Sequence, residues 1–392
     1  TISAAIAAAR AGDRIFVANG VYREQVVIDK PIKLQGTSPE KTIIDGERST
    51  TLSDRGQVRI VAAGDVELAN FTVRNAGSSG QNPSPAAIYT QSPVAGVKYD
   101  IHEMHLIGWN DPNGDNDFGL VSISGLEHLN FHHSQIEGTI SAPVYLEDHF
   151  GAVTLQDSHF TIALNQTAAS GGVFFARSSG STDDIVTPQR IMGNTIDAGT
   201  GNSSFYPAGL AIIGWGLATW TDMEISGNTI EHITPNRRGI NFISGGAPRA
   251  IIKDNAILRE GGYSGIAVWG PCEDVRVEGN LITGITGEPA PGQNGGIRLR
   301  DGSGVGGLFG APVRTRIVNN VIEAYRGITV ESNGRFNQIT DNRVSASGPA
   351  TVVLRADTSN NSVVQNQLRT PLDRGNQTVL DSGIDNIVRS NR

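Results

Sequence analysis

The stretch Glu224–Ile233, "EISGNTIEHI", decides how the chain folds. Ile225 and Ile230 read as buried positions of short strands, yet Gly227 and Asn228 stand between them, where a plain strand would favour Val. The stretch recurs. "RIMGNTID" ends at Asp197, "IIKDNAIL" spans Ile251–Leu258, "RVEGNLIT" spans Arg276–Thr283, and "RIVNNVIE", "QITDNRVS" and "VVQNQLR" follow. Their central amides are Asn194, Asn228, Asn255, Asn280, Asn320, Asn342 and Asn366. Most lie roughly 22 to 34 residues apart, a period that marks a repeat architecture.

A second pattern follows each amide: "GLAIIG" from Gly209, "GINFIS" from Gly239, "GIAVWG" from Gly265, "GIRLRD" from Gly296, "GITVES" from Gly327 and "TVVLRA" from Thr351. Each repeat therefore holds two or three short strands joined by bends. Period-two alternation directs one side of each strand inward. No coil buries that side alone, but stacked coils do. An Asn at the bend then has two uses. It tolerates unusual backbone angles and bonds locally, and identical amides on stacked coils bond to one another in a ladder.

The opening, "TISAAIAAARAGDRIFVANGVYREQVVIDKPIKLQG", Thr1–Gly36, carries a further signal. With the repeats it makes the chain resemble the right-handed parallel β-helix proteins of the pectate-lyase-like superfamily, which usually start with a short amphipathic helix followed by "GD.I.V..G.Y.E.V.I.K...L.G". The resemblance spans nearly the whole chain. It implies an all-β fold: a single-stranded right-handed parallel β-helix, a solenoid of about ten or more coils. It also implies one domain over residues 1–392, with residues 1–12 as a short N-terminal capping helix. Such a fold hosts many chemistries, so activity has to be read from the site.

Composition narrows the classes. The chain has 392 residues, 48 of them Gly, and 18% are charged, which fits a turn-dense β protein. A net charge of −8 and the absence of any Lys/Arg-rich run argue against nucleic acid as a partner. Lys occurs only at positions 30, 33, 41, 98 and 253. Cys272 stands alone, which excludes an intrachain disulfide and suits a bacterial secreted protein or a cytoplasmic one. No apolar run approaches the length of a membrane span. The chain opens directly on a helix rather than a signal peptide, as a mature or trimmed chain would, and the expected location is secreted or periplasmic. Gly77–Pro85, Ser178–Thr182 and Pro289–Gly310 read as loops inserted between strands. The helix Thr1–Ala11, with Ile2 and Ile6 on one face, reads as a lid on the first coil. The last coil, near Arg392, shows no obvious cap, which suggests packing on a neighbour in a homo-oligomer.

Inward positions build the core, so function is sought outside. Aligned by their apolar positions, one outward column reads Tyr89, Tyr145, Phe174, Ala211, Asn241, Ala267, Arg298, Thr329, Val353. The next reads Gln91, Glu147, Ala176, Ile213, Ile243, Trp269, Arg300, Glu331, Arg355. The segment Gly119–Gly125 has no place in this register.

Two regions stand out. "APVYLEDHFG" presents Tyr145 and Glu147 outward and sets Asp148 and His149 at the next bend. One coil earlier, "WNDPNGDNDFG" holds Asp111, Asp115 and Asp117, and one coil later "FFARSSGSTDD" holds Arg177, Asp183 and Asp184. Carboxylates on adjacent coils beside aromatic rings suit glycosidic cleavage, one acid protonating the leaving oxygen and another activating water or attacking the sugar. The candidate catalytic residues are Glu147, Asp148, Asp117 and Asp115, with Tyr145, Phe174 and Arg177 binding substrate. The bland reading is a set of solvated turn acids. The second region is Trp269, Arg300, Glu331 and Arg355, flanked by Arg298 and Asp301. It suits an acidic sugar, since Arg grips a carboxylate with two bonds and Trp offers a stacking face. The resemblance implies that an Arg can also serve as the base of a β-elimination, as in some pectate-type lyases. The bland reading is an exposed cross-strand charge ladder worth a fraction of a kcal/mol per pair.

Smaller signals carry less. Asp111, Asn113, Asp115 and Asp117 alternate like the start of a calcium loop, but Asn116 stands where Gly is required and Ser122 where the closing Glu belongs. An EF-hand is excluded and only a looser Ca²⁺ site is left, so no cofactor is required. "HEMH" (His102, His105) and "FHHS" (His132, His133) suggest zinc, though the spacing is not that of the H-E-x-x-H helix. Trp215 and Trp220 read as a groove-lining loop or a hydrophobic plug. Several patterns of the superfamily are missing: the paired Asp and "RIK" of polygalacturonases, the "DFIFG" of pectin methylesterases, the calcium-and-Arg set of the pectate lyases and the "DPHD" of mannuronan epimerases. The expected function is cleavage of a polysaccharide, with a glycoside hydrolase in front. The alternatives are a lyase acting on uronates, a fructan-type transferase, and a non-catalytic binding β-helix.

Overall fold

The computed structural model describes residues 1–78, 84–108, 118–139, 142–162, 172–178, 183–198, 208–214, 219–231, 238–243, 247–258, 264–285, 295–302, 310–331, 333–370 and 377–392. Its architecture is an all-β right-handed parallel β-helix in which each coil gives one strand to each of three parallel sheets. The chain divides into two compact units, Thr1–Phe175 with Thr187–Phe205, and Ala176–Val186 with Tyr206–Arg392. In the first unit the first sheet runs from Arg14–Val17 to Gln189–Met192, the second from Gly20–Tyr22 to Thr195–Asp197, and the third from Val26–Ile28 to Val173–Ala176. In the second unit the corresponding sheets run from Met223–Ser226 to Ile387–Arg389, from Thr229–Glu231 to Gln367–Arg369, and from Ala208–Ile213 to Gln377–Asp381.

Register explains the core. In the second unit Ile225, Ile252, Val277, Ile317, Ile339 and Val363 stack on successive coils of the first sheet. Ile230, Ile257, Ile282, Ile322, Val344 and Leu368 do the same in the second. These side chains are buried, and all but Leu368 are β-branched, a shape that packs well on a pleated surface. The same register confirms the outward column Ala211, Asn241, Ala267, Arg298, Thr329, Val353.

The amide of "SGN" has a sharper role than the sequence implied. Asn228, Asn255, Asn280, Asn320, Asn342 and Asn366 are buried between the first and second sheets. Each Nδ2 donates at 2.9–3.0 Å to the Oδ1 of the amide on the next coil, which also accepts the backbone N–H of the first. The left-handed angle belongs to the preceding residue, Gly227 (φ 63), Asp254 (φ 54), Gly279 (φ 65) or Asp341 (φ 57), and not to the ladder Asn. In the first unit hydroxyls hold this corner until Asn194: Met104 N–H donates to Ser134 Oγ at 3.0 Å, Ser134 N–H to Ser158 Oγ at 3.2 Å, and Ser158 N–H to Asn194 Oδ1 at 3.1 Å.

Three expectations change at the edges. The helix spans Ile2–Ala8 rather than reaching residue 11, because Ala9 is extended (ψ 153). Ile2 and Ile6 are buried, and Glu24 accepts the N–H groups of Ile2 and Ser3 at 2.7 and 3.0 Å. Strand Gly295–Arg300 lies inside the segment Pro289–Gly310 that reads as loop, and Phe118–Ile123 supplies the strand between Ala86–Thr90 and Ala142–Glu147. Val121 thereby joins the first outward column and Ile123 the second. Among the described residues no helix is long and apolar enough to cross a membrane.

Candidate functional site

The outer face of the third sheet in the second unit carries a buried charge cluster. Strand register sets Trp269 beside Arg300 and Ala267 beside Arg298. Glu331 follows the next strand, its N–H bonded to Leu299 O at 2.9 Å, and Arg355 follows the one after, bonded to Val330 O at 3.0 Å. Arg298 Nε donates to Glu331 Oε1 at 2.6 Å, and its Nη2 pairs with the same oxygen. Arg300 Nε lies 3.7 Å from Glu331 Oε2, and its guanidinium sits 4.0 Å over the Trp269 ring. This is not the exposed ladder of the bland reading, for Arg298 is 4% and Trp269 5% exposed. Burial holds the Arg298 guanidinium below its ordinary range; Glu331 opposes that, while Arg300 and Arg355 add repulsion. Arg298 and Arg300 thus both meet Glu331, and Arg355 lies close enough to repel Arg298. Arg355 Nε is buried without a hydrogen bond, and a cleft of about 380 Å³ opens beside it between Arg326, Pro349, Val353 and Leu380.

Two further polar groups on this face escaped the sequence reading. Asn241 is fully buried, and among the described residues neither end of its amide has a partner; Thr329 Oγ1 is likewise buried and unbonded among them. Both share the column of Arg298. Such groups are costly unless something satisfies them. Their signal was legible as a polar residue in an outward column of otherwise small side chains.

In the first unit the same sheet carries aromatic rings. Tyr145 stacks on Phe174 with centroids 5.5 Å apart and lies tilted 5.3 Å from Phe118. Its hydroxyl donates to Glu147 Oε2 at 2.9 Å. Burial, with the Glu147 charge, raises the Tyr145 phenol well above its ordinary range. Asp148 occupies the left-handed bend (φ 47) after Glu147. Asp115 and Asp117, the other expected acids, lie outside the described residues, as do Asp111 and Asn113 of the calcium reading and Trp215. Arg177 is fully buried and donates to the Asp183 carbonyl within its own loop. Asp184 accepts from Thr219, as turn acids do. Trp220 is buried and Ile185 bridges to it, which makes it the plug.

The histidines divide by sheet. His102 and His132 stack 5.0 Å apart on the first sheet, whereas His105 pairs with Glu137 at 2.8 Å on the second. "HEMH" thus spans a corner. Among the described residues no group of three His, Cys, Asp or Glu is placed to hold a metal ion. Cys272 is buried, and burial pushes its thiol up to about 12.

Coils of three parallel strands, an aliphatic core and a stacked amide corner define a right-handed parallel β-helix. The family model for the right-handed β-helix region matches residues 191–368. Solved structures agree on the fold. A PL6 alginate lyase in complex with a trisaccharide is 13% identical, with a TM-score of 0.56, and the match covers 93% of this chain and 82% of that one. The alginate lyase AlyF-OU02, complexed with G6, is 13% identical with a TM-score of 0.53, covering 97% and 85%. The PL6 alginate lyase AlyGC is 15% identical with a TM-score of 0.54, covering 97% of this chain and 52% of that longer one. A comparison with curated protein sequences gives no match.

Proposed function

We propose that the protein is a carbohydrate-active enzyme that cleaves an acidic, uronate-containing polysaccharide by β-elimination, acting outside the cell. One observation carries the reading: Arg298 and Arg300 both meet the carboxylate of Glu331 beside Trp269, and Arg355 adds a third cation close enough to repel Arg298. Glu331 satisfies Arg298 and leaves a positive excess. A uronate carboxylate supplies the missing charge, and Arg300 and Arg355 are the groups free to bind it bidentately. Neutralising that carboxylate stabilises the negative charge that develops when the neighbouring C–H proton is removed, which is what elimination needs. The fold likeness to alginate lyases is in keeping with such a substrate. The glycoside hydrolase reading now stands second, on Glu147 among aromatic rings.

The test is digestion of alginate, galacturonan and inulin, followed both by reducing ends and by the ultraviolet absorbance of unsaturated uronates. Elimination predicts both signals on a uronate polymer, and Arg300→Gln should lower kcat/KM at least about tenfold, the loss of one charge-assisted contact. Reducing ends without absorbance would replace the lyase by the hydrolase.

A further inference from the structure

The bend Ser53–Gln57 brings a second arginine onto the ring-bearing face of the first unit. Gln25 Nε2 clamps this bend by donating to the carbonyls of Asp54 and Gly56 at 3.0 and 2.8 Å. Gly56 has φ +98, and a Cβ there would meet the Tyr89 Cβ at 2.6 Å, so only glycine lets the bend lie this close. The Arg55 guanidinium is thereby laid 5.1 Å over the Phe118 ring and is 8% exposed. Its Nε is buried without a hydrogen bond, and among the described residues no carboxylate forms an ion pair with it. Asp54, its neighbour, pairs with Arg59 instead, at 2.9 Å.

Glu147 faces the same space. Its carboxylate accepts from the hydroxyl of Tyr145, whose ring lies 5.3 Å from Phe118, the ring under Arg55, and among the described residues it forms no ion pair with Arg55. Burial lowers the Arg55 guanidinium, with Tyr89, Tyr145 and then Glu147 opposing. Such an arrangement is poor for stability, since a buried cation without a partner is costly and closure would relieve it. It suits a ligand oxygen that accepts from a guanidinium and donates to a carboxylate. Hydroxyl groups do both. The flanking rings of Phe118, Tyr145 and Phe174 offer the apolar cover that the C–H face of a sugar needs.

We propose that Arg55 and Glu147 form a hydroxyl clamp for one sugar ring of a polysaccharide stacked against Tyr145 and Phe174, with Arg55 as a specificity-determining residue. The clamp rests on the carbohydrate reading above but not on its elimination chemistry. The experiment compares the whole protein with Arg55→Leu, measuring Tm and titrating alginate, galacturonan and inulin tetrasaccharides by calorimetry. A clamp predicts a Tm that is unchanged or raised, because an unpaired buried charge has gone, together with an affinity at least about tenfold weaker, the worth of a charged hydrogen bond. Tyr145→Phe, which removes the bond to Glu147, should weaken binding less. A lowered Tm with unchanged affinity makes Arg55 a structural prop of Phe118 and overturns the clamp. So does failure of the native protein to bind any of the three. Arg55-dependent binding without unsaturated products would instead sink the lyase and leave the clamp standing.

Discussion

The two units build one coil geometry and fill it differently. On the outer face of the third sheet, the second unit closes Arg298 onto Glu331, whereas in the first no ion pair joins Arg55 to Glu147 among the described residues. The corners differ in parallel. In the second unit an amide such as Asn255 donates to both neighbouring coils and accepts two bonds from the coil before it, whereas in the first a serine hydroxyl takes one backbone bond from the coil before it. Closed networks stabilise coils, and open ones keep hydrogen-bonding capacity that the fold does not consume. Coil geometry therefore dictates which positions face outward but not what chemistry they offer.

The largest expected difference lies at the corners. Asn280→Ala orphans the backbone N–H of Asn255, takes one of the two bonds of its Nδ2, the other going to Ile225 O, and frees the Ile252 carbonyl from its side-chain donor. The loss of these buried bonds should cost about 4 kcal/mol. Ser158→Ala orphans the Ser134 N–H and should cost about 1–2 kcal/mol. Denaturant unfolding with hydrogen exchange to localise the loss would measure both. Equal costs would mean that the amide ladder adds nothing beyond a single bond.

Next in size is the charge comparison. Glu331→Gln leaves Arg298 buried without its counter-ion and should cost about 3 kcal/mol. Glu147→Gln keeps an acceptor for the Tyr145 hydroxyl and should change stability by less than about 1 kcal/mol. Thermal unfolding of the two variants side by side decides. Similar losses would place Glu147 in a closed network after all.

These contrasts also mark what the sequence could tell. The recurring Asn announced the coils because a buried amide is satisfied only by a copy of itself one coil away. Alternation then placed Trp269, Arg298, Arg300, Glu331 and Arg355 on one face, since period two is rigid within a strand. Arg55 was illegible because it sits in a bend, where no period applies, and its reach depends on how Gly56 packs on Tyr89. The contact of His149 with Ser122, and of Ser122 with Glu127, was illegible for a related reason. The segment Gly119–Gly125 had no register until Phe118–Ile123 was seen to pair on both sides.

The smallest prediction uses that missed group and separates the units by pH. His149 is 3% exposed, and its Nδ1 lies 2.8 Å from Ser122 Oγ. Glu127 accepts from Ser122 Oγ at 3.2 Å and from Ser92 N–H at 2.8 Å. Burial holds the imidazole below its ordinary value of about 6.5, with the Glu127 charge opposing. The folded state then takes up the proton less readily than the unfolded chain. Stability is complete above about pH 6.5 and is lost as the pH falls from there towards the depressed folded value. Each tenfold difference in proton affinity is worth about 1.4 kcal/mol. His149→Gln should remove this slope. Seven of the eight histidines belong to the first unit. Hydrogen exchange at pH 5.5 against pH 8 should therefore open coils of the first unit and spare the amide-laddered coils of the second. Loss spread evenly over both units would show that His149 does not govern the acid response.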